Sequence, residues 1–472
     1  MIKVFDINKS DISLDNRFEP SYYYYSKIIK EQSLKNGITY CKLKDLCDCI
    51  SDGEHSAIPR QKNKGIRYLY GRNIKDGIVV FDSITDKSFI TEENYHNFPR
   101  THLVENDILL TIVGTIGKTA LYKKEYIGEA GIPRHIAKIR LKKDSCVSAE
   151  YIVSYFLSKF GKWQINNIST GNIQPLLSIG NIEKLDIPII NKGLHDEITR
   201  KEKAFIQYET KALKLIAMAQ QLFYSYVDID FSSIEQEKTF SIWKKRLVGS
   251  DLWTPMYYYP LYVNTENKIR KRWKCVKLGE ISEVVKGDEV GSDEYIDYID
   301  KRKTDVPFIR TTDIINYEID QYPDFYISSE IFNVLGQGFK KGDVLFTKDG
   351  KIGMVGLITE TDRAIISSGI VGLRINESAI KYGITSEYLF LMLSIKEIGY
   401  YASKRYTVVA STIPHLREER LKEIEIPVLD EYAINEITQL VREAFLLKDK
   451  KKKFLAEIRE AIDTYFMDSN KE

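Results

Sequence analysis

The sequence lacks the features of a secreted or membrane protein. Its 472 residues contain no run of 18 apolar residues, and polar and acidic side chains occupy the start, where a signal peptide needs an apolar run. It has five cysteines, an odd number without a Cys-x-x-Cys spacing, which is typical of a reducing compartment and offers no zinc pattern. We therefore expect a cytoplasmic protein without a membrane span.

A large net charge is also missing. The 69 Lys and Arg residues nearly balance the 67 Asp and Glu residues, so the formal net charge is +2. Any nucleic-acid partner must therefore be recognised by local clusters of charge. With 43% hydrophobic residues the chain can bury a core, and its length predicts about three domains or two large ones.

No complete catalytic motif is present. Residues 113–119 resemble a phosphate-binding loop, but Ile112 stands where the first glycine is required. Residues 322–332 resemble a nuclease carboxylate pair, but Phe332 replaces the required lysine. The six histidines lack metal-ligand spacing, and neither a Gly-x-Ser-x-Gly elbow nor an Asn/Asp-Pro-Pro-Tyr motif occurs. We predict that this chain alone is not an enzyme and holds no metal or cofactor.

The sequence does contain an internal repeat. The offset is 235 residues at the start and grows to 239 towards the end of each copy, so only small insertions separate the copies. A nearly constant offset of this kind indicates a tandem duplication. The matching segments are 20–24 with 255–259, 106–110 with 342–346, 114–117 with 350–353, and 187–190 with 426–429.

Each copy predicts a mixed domain followed by a long helix. Short β-rich runs such as 66–70 and 306–310 are broken by Gly, Asn and Asp. Residues 194–226 and 430–466 lack Pro and Gly and carry apolar residues at helical spacing. The predicted fold class is α+β, a tandem duplication of two mixed α/β domains separated by two long antiparallel coiled-coil helices.

The long helices have two possible packing arrangements. Each could pack on its own domain, or the two could bury their apolar seams on each other as struts; the duplication favours the struts. An antiparallel register that aligns residue 194 with 466 places Glu209 opposite Lys451. The predicted interface residues are Ile198, Phe205, Glu209, Ile216, Ile437, Val441, Lys451, Leu455 and Ile458.

Basic residues cluster at corresponding places in the two copies. A single basic cluster is usually an ordinary solvated surface, but its repetition in both copies favours a DNA-binding role. In that role Lys and Arg contact phosphates, and Arg, Asn or Thr contacts base edges. The candidate DNA-binding residues are Arg60, Lys62, Lys64, Arg67, Arg72, Asn73, Lys301, Arg302, Lys303, Arg310, Thr311, Lys404 and Arg405.

Taken together, these features resemble the specificity subunits of type I restriction-modification systems. The resemblance is carried by the tandem copies, by residues 273–281 with Lys286-Gly287, by the Asp-Ile/Val-Leu and Gly-x-x-Gly elements, and by an Ile-Pro segment before each helix. The resemblance implies two target-recognition domains (1–193 and 229–429), each reading half of a split double-stranded DNA sequence. It also implies a central spacer helix (194–228) and a C-terminal spacer helix (430–472), which set the gap.

The same resemblance implies partners. These are two methyltransferase subunits, which dock on the helices and use S-adenosylmethionine, and motor-nuclease subunits for restriction. The usual Gln after the Ile-Pro segment is replaced by Asp196-Glu197 and Asn435-Glu436, so a type IIB-like or other defence-associated methylation complex stays open. A two-headed protein-binding scaffold is an alternative of a different class, and salt-dependent DNA binding would separate it from a DNA reader.

Overall fold

The computed structural model divides the chain into two compact units, residues 1–207 with 453–472 and residues 208–452. Both unit boundaries fall inside a long helix, so each unit combines one globular copy with part of each helix. The residues that the structure describes are 23, 31, 38–61, 64–81, 88–170, 176–237, 239–248, 252–286, 306–335, 338–410 and 413–467.

The first unit is built on a four-stranded antiparallel sheet. Its order is β2-β10-β7-β8, and β7 is fully buried because all four of its residues face the core or its flanking helices. A second sheet, β6-β3-β9, is mixed, and β1 pairs with β11 to join the start and end of the copy. The strands are β1 (Thr39–Lys42), β2 (Cys47–Asp52), β3 (Ile66–Tyr68), β4 (Ile74–Lys75), β5 (Ile78–Val79), β6 (Phe89–Ile90), β7 (Ile108–Thr111), β8 (Thr119–Leu121), β9 (Ala130–Gly131), β10 (Ile136–Leu141) and β11 (Asp186–Ile189).

Short helices surround these sheets, and side-chain caps mark where several begin. Ser148 accepts a hydrogen bond from the Tyr151 amide at 3.1 Å, which satisfies an otherwise unpaired donor at the start of α4. Two 3-10 turns span Gly71–Asn73 and Pro99–Thr101. The helices are α1 (Leu43–Leu46), α2 (Glu92–Asn97), α3 (Lys124–Ile127), α4 (Ala149–Leu157), α5 (Lys159–Ile168), α6 (Ile179–Glu183) and the long α7 (Lys192–Val227).

The second unit repeats the sheet topology of the first. Its antiparallel sheet has the order β13-β21-β18-β19, its mixed sheet the order β17-β14-β20, and β12 pairs with β24. A further hairpin, β22-β23, follows in this unit. The strands are β12 (Cys275–Lys277), β13 (Ser282–Val285), β14 (Val306–Ile309), β15 (Ile314–Ile315), β16 (Glu318–Ile319), β17 (Tyr326–Ile327), β18 (Val344–Thr347), β19 (Val355–Leu357), β20 (Ile365–Ile366), β21 (Ile370–Ile375), β22 (Val408–Ala410), β23 (Ile413–His415) and β24 (Glu425–Pro427).

Helices of the second unit include an N-terminal group that precedes its sheets. A 3-10 turn spans Thr311–Asp313 and a π-helix spans Lys396–Tyr400. The α-helices are α8 (Lys244–Leu247), α9 (Pro255–Tyr258), α10 (Pro260–Arg272), α11 (Leu278–Ile281), α12 (Ser329–Leu335), α13 (Glu377–Lys381), α14 (Ser386–Ser394), α15 (Tyr401–Tyr406), α16 (Glu418–Leu421) and the long α17 (Glu431–Met467).

Equivalent side chains attach each globular copy to a long helix. The capping hydroxyl of Ser148 lies 2.8 Å from that of Thr199 in the first unit, and Thr385 lies 2.9 Å from Thr438 in the second. The tyrosines that follow these caps, Tyr151 and Tyr388, donate to the carbonyls of the Ile-Pro segments at 2.8 Å. The duplication seen in the sequence is therefore a duplication of fold.

Both copies also share a tight hairpin turn. In the first unit the turn between β4 and β5 consists of Asp76 and Gly77, both with positive φ, as a type I′ turn requires. A Cβ on Gly77 would lie 2.8 Å from the carboxylate of Glu202, so a larger residue would displace that side chain. The second unit has Asn316 and Tyr317 here, again with positive φ.

Packing against a long helix completes the core of the second unit. The central apolar cluster combines its main sheet with α14, with Ala212, Ile216 and Phe223 of α7, and with Ile437 and Val441 of α17. The two helices thus bury apolar faces on each other and on the sheet. The first unit has a core of its own that includes Leu109, Tyr122 and Ile136.

Candidate DNA-recognition surfaces and the paired helices

An exposed group of arginines surrounds aromatic rings in the first unit. The guanidinium carbons of Arg60 and Arg72 lie 4.4 and 5.0 Å from the centre of the Tyr70 ring, and that of Arg67 lies 3.9 Å from the Phe81 ring. Such cation–π contacts hold a guanidinium in a limited range of orientations. Arg60, Lys64 and Arg72 are exposed, whereas Arg67 is partly buried.

Asn73 has an internal structural role. It is 2% exposed, its side-chain oxygen accepts from the Tyr70 amide at 2.9 Å, and its side-chain nitrogen donates to the Val80 carbonyl at 2.9 Å. Both ends of the amide are therefore used to cap the 3-10 turn. Asn73, a candidate DNA contact in the sequence, therefore has its side chain engaged within the protein.

Arg310 occupies in the second unit the position that Tyr70 has in the first. Its backbone and side chain bond to Asp313, it also pairs with Asp324 at 3.4 Å, and its guanidinium lies 4.3 Å from the centre of the Phe325 ring. Thr311, the next residue, is partly buried beside the Gly350 turn. Arg310 is half-exposed, so part of its guanidinium faces outwards while two carboxylates hold it.

Lys404 and Arg405 are both partly buried. Arg405 pairs with Glu266 and donates to the Tyr257 carbonyl at 2.9 Å, and its side chain is 13% exposed. It joins α15 to the N-terminal helices, so this candidate DNA contact is engaged within the protein. Lys404 is partly buried over the Tyr400 ring, and this burial lowers the pKa of Lys404. The candidates Lys62, Lys301, Arg302 and Lys303 lie outside the described residues.

The predicted helix residues are buried in their respective units. In the first unit Ile198, Phe205, Leu455 and Ile458 are at most 5% exposed, and Lys201 pairs with Glu457 at 2.8 Å. In the second unit Ile216, Ile437 and Val441 lie in the core. There Lys211 pairs with Glu443 at 3.4 Å, whereas Glu209, which precedes Lys211 in α7, pairs with Lys448, which follows Glu443 in α17. The two helices therefore run antiparallel through this unit.

A buried ionic cluster lies between the two helices and the second globular copy. The Glu209 carboxylate of α7 is 3.1 Å from Lys448 Nζ and 2.8 Å from Lys451 Nζ of α17, so the predicted proximity of Glu209 and Lys451 is present. Both lysines also contact Glu318 of β16. We name these four residues, with Lys452 and Asp362, which are 2.6 Å apart, the helix-junction cluster.

Charges of opposite sign are balanced in the helix-junction cluster. Its six side chains are at most 9% exposed and carry three formal charges of each sign. Burial alone would lower the pKa of Lys451, but Glu209 and Glu318 outweigh it and raise that pKa. Burial likewise opposes ionisation of Glu209, but Lys448 and Lys451 hold its pKa below the usual value. Glu318, Lys452 and Asp362 were not identified from the sequence.

The first unit has two different acidic residues at the corresponding hairpin, the partly exposed Asp76 and the buried Glu202. Arg459 of α17 donates to Asp76 at 2.6 Å. Glu202 of α7 is fully buried, accepts from Ser154 at 3.1 Å, and has a pKa raised to about 8, mainly because burial disfavours its charge. The helix-junction cluster therefore has no direct counterpart among these residues of the first copy, where an Asp76–Arg459 ion pair and the buried Glu202 lie at the hairpin.

No group of His, Cys, Asp and Glu side chains within the described ranges could hold a metal ion. Within those same ranges, no helix is long and apolar enough to cross a membrane. Two copies of one α+β domain, each fastened to a long helix by equivalent side chains, define a tandem-domain protein.

Comparison with known proteins supplies the family. The sequence profile of the type I restriction modification DNA specificity domain matches the chain twice, at residues 35–200 and 270–431. The chain therefore belongs to the family of type I restriction-modification specificity subunits and is a DNA-recognition subunit. This family is the non-catalytic component of its systems and binds no cofactor itself. No curated protein matches the chain.

Solved structures of such subunits are distant in sequence and in superposition. The S subunit from M. genitalium is 14% identical, with 92% of this chain and 96% of that chain covered and a TM-score of 0.36. The HsdS subunit from Thermoanaerobacter tengcongensis is 15% identical, with 91% and 96% covered and a TM-score of 0.29. A chain from a study of type I R-M complex assembly and conformational transition is 15% identical, with 91% and 97% covered and a TM-score of 0.28.

Proposed function

We propose that the chain reads a bipartite double-stranded DNA sequence, one half with each copy, and directs methyltransferase and restriction subunits to it. The observation that carries the proposal is the contrast between the copies. They share sheet order, caps and helix attachments, yet equivalent positions differ in charge, as Tyr70 and Arg310 do. A shared frame with different side chains suits two readers of two different half-sequences.

We select the proposed DNA-facing residues by the solvent exposure of their side chains. Arg60, Lys64 and Arg72 can reach phosphates or base edges from the first copy, with Arg67 behind them. Arg310 and Thr311 form the corresponding part of the second copy, and Lys404 adds a partly buried cation. Lys62, Lys301, Arg302 and Lys303 remain proposed DNA contacts on sequence grounds. Asn73 and Arg405 are left out because the protein's own groups occupy their side chains.

The long helices act, in this proposal, as the spacer between two recognition domains at 1–193 and 229–429. The apolar contacts of α7 with α17 in the second unit support this role, because a paired helix bends less than a single one. Two methyltransferase subunits carrying S-adenosylmethionine would dock on the helices, and motor-nuclease subunits would complete a restriction complex. The site of action would be the cytoplasm, where cellular DNA is accessible.

An exchange of domains tests the proposal. Replacing residues 40–185 with the matching segment of another specificity subunit should change one half of the methylated sequence and leave the other half unchanged. The measurement is mapping of methylated bases in cells that contain the chain and its partner subunits. A change in both halves would contradict the two-reader proposal. DNA binding that does not weaken as salt rises would contradict phosphate recognition and favour a protein-binding scaffold.

A further inference from the structure

Three turns meet at one end of the main sheet in each copy. In the first copy these are the 3-10 turn around Arg72, the Gly-x-x-Gly turn 114–117 after β7, and the turn 133–135 between β9 and β10. In the second copy they are the 3-10 turn around Thr312, the turn 350–353, and the turn 367–369 between β20 and β21. We name this group the three-turn face.

Backbone hydrogen bonds show that the three-turn face has the same frame in both copies. The Ile112 amide donates to the His135 carbonyl at 3.0 Å, and its counterpart Lys348 donates to the Gly369 carbonyl at 2.8 Å. The Gly-x-x-Gly turns are closed by equivalent hydrogen bonds. The Gly117 amide donates to the Thr111 carbonyl at 2.9 Å, and the Gly353 amide donates to the Thr347 carbonyl at 3.0 Å. In the 3-10 turns the amide of residue 73 donates to the carbonyl of residue 70, and the amide of residue 313 donates to the carbonyl of residue 310, both at 2.8 Å.

Close packing brings the three turns together. In the first copy a Cβ on Gly71 would lie 3.5 Å from the Thr111 methyl group, beside the start of the Gly-x-x-Gly turn. In the second copy a Cβ on Gly369 would lie only 2.9 Å from the Thr311 methyl group, and one on Gly350 would lie 3.8 Å from the Thr311 hydroxyl. The backbone of the face is therefore compact, and what varies is the set of side chains that it displays.

At two exposed positions of the three-turn face, the first copy has arginine where the second copy has a hydroxyl residue. At the exposed position of the 3-10 turn, Arg72 in the first copy corresponds to Thr312 in the second. At the exposed position of the inter-strand turn, Arg134 corresponds to Ser368. Burial, followed by the charges of Arg134 and Arg60, lowers the pKa of the neighbouring His135.

These differences matter for base recognition. Arginine can donate two hydrogen bonds to the O6 and N7 atoms of guanine, whereas Ser and Thr donate or accept one bond with several bases. A rigid backbone at which only the exposed residues change is suited to reading different sequences, because each side chain starts from a fixed position.

We propose that the three-turn face is the base-reading surface of each copy, and that Arg72 and Arg134, against Thr312 and Ser368, determine the difference between the two half-sequences. The proposal rests on the proposed function as a bipartite DNA reader. It adds Arg134 and Ser368, which are separated from the basic clusters in the sequence. It also assigns guanine recognition to the first copy at these positions.

The test is a selection from duplexes with randomised bases in both half-sequences, using the full chain with the methyltransferase subunits of its own system. The wild-type complex should select guanine at one or two positions of the first half. The variant Arg72→Thr with Arg134→Ser should lose that preference by about 5- to 150-fold at those positions and leave the second half unchanged. The reciprocal variant, Thr312→Arg with Ser368→Arg, should alter only the second half.

Lys143→Ala is the matched control. Lys143 is an exposed cation of the same copy, beyond the other end of β10, which lies about 20 Å along the strand from the three-turn face. Its replacement should leave both half-sequences unchanged. If the Arg72→Thr, Arg134→Ser variant still selects the wild-type first half-sequence, the inference is overturned. The proposed function would still be supported in that case, provided that the wild-type complex selects two separate half-sequences. A wild-type complex that selects no sequence would overturn both.

Discussion

Lys448 lies with its ammonium group 3.1 Å from the Glu209 carboxylate, and both side chains are at most 1% exposed. The two residues are 239 positions apart, which is the repeat offset in this part of the chain, so they are equivalent positions of the two long helices. The duplication has therefore diverged to opposite charges at one position. A buried charge of one sign requires the other nearby.

The first prediction concerns this pair. Glu209→Gln removes the carboxylate charge between Lys448 and Lys451, and should lower the free energy of unfolding by about 3 to 5 kcal/mol, since buried cations lose their partner. Urea unfolding would measure the change. Glu443→Gln is the control, because its ion pair with Lys211 is exposed and should contribute little. An equal effect of the two variants would contradict a role for burial.

Exchanging charges between Glu209 and Lys451 should not restore stability. Glu318 contacts Lys451, so a carboxylate placed at position 451 would face another carboxylate, while an ammonium group placed at position 209 would face Lys448. Like charges buried together are unfavourable. The double variant Glu209→Lys, Lys451→Glu should therefore unfold at lower urea concentration than the wild-type protein, although it has the same net charge. Recovery in that experiment would mean that Glu209 and Lys451 form an independent pair.

The third prediction is a pH dependence from Glu202. Its folded-state pKa of about 8 lies above the unfolded value of about 4.3, so the folded state retains a proton that the unfolded state releases between these values. The stabilisation is complete below the unfolded pKa and declines, by up to about 1.4 kcal/mol per pH unit, until pH passes 8. Glu202→Gln should remove this decline and raise the melting temperature at pH 8 relative to wild type.

Thermal melts between pH 5 and 9 would test the Glu202 prediction. The control is Glu457→Gln, because Glu457 is half-exposed and pairs with Lys201 on the surface of the same helices. Its melting curves should keep the wild-type decline. A Glu202→Gln variant with an unchanged pH profile would show that Glu202 is already ionised in the folded protein.

The fourth prediction concerns helix caps that also tie the domains to the helices. Thr385→Ala removes both the bond from the Tyr388 amide at 3.1 Å and the hydroxyl contact with Thr438 at 2.9 Å. We expect a loss of about 1 to 2 kcal/mol in the free energy of unfolding. Thr385→Ser keeps the hydroxyl and should retain most of the stability. Equal losses in the two variants would point to the lost methyl group instead.

The last prediction tests the proposed spacer. Four residues inserted after Gln207 in α7 and four after Lys452 in α17 lengthen both helices at the unit boundary, outside the helix-junction cluster. Each insertion adds about one turn, or about 6 Å, so the gap between half-sequences should grow by one or two base pairs of about 3.4 Å. Methylation mapping would measure the gap, and both half-sequences should stay the same.

Four residues inserted after Glu237 provide the control for that prediction, because this exposed segment lies outside both long helices. The gap should then be unchanged. A fully active helix-insertion variant with the wild-type gap would refute the spacer role of the helices.

The sequence by itself determined the duplication and the helices. Repeated segments keep their offset whatever the fold, and the spacing of Ile434, Ile437 and Val441 along α17 reflects the local geometry of a helix. The proximity of Glu209 and Lys451 could also be predicted. In an antiparallel pair of helices the residue numbers of facing positions have a constant sum, so one aligned pair fixes all the others. The α+β class followed from short β-rich runs between these helices.

Only the tertiary structure decided which partners the charged residues have. Nothing near Lys448 in the sequence indicates that Glu318, 130 residues earlier, shares its site. Asn73, Arg310 and Arg405 looked alike as polar residues in basic segments, yet one caps a turn, one is held by two aspartates and one pairs with Glu266. A sequence records that a side chain is charged, but its exposure and its partner depend on which distant segments the sheets and helices bring together.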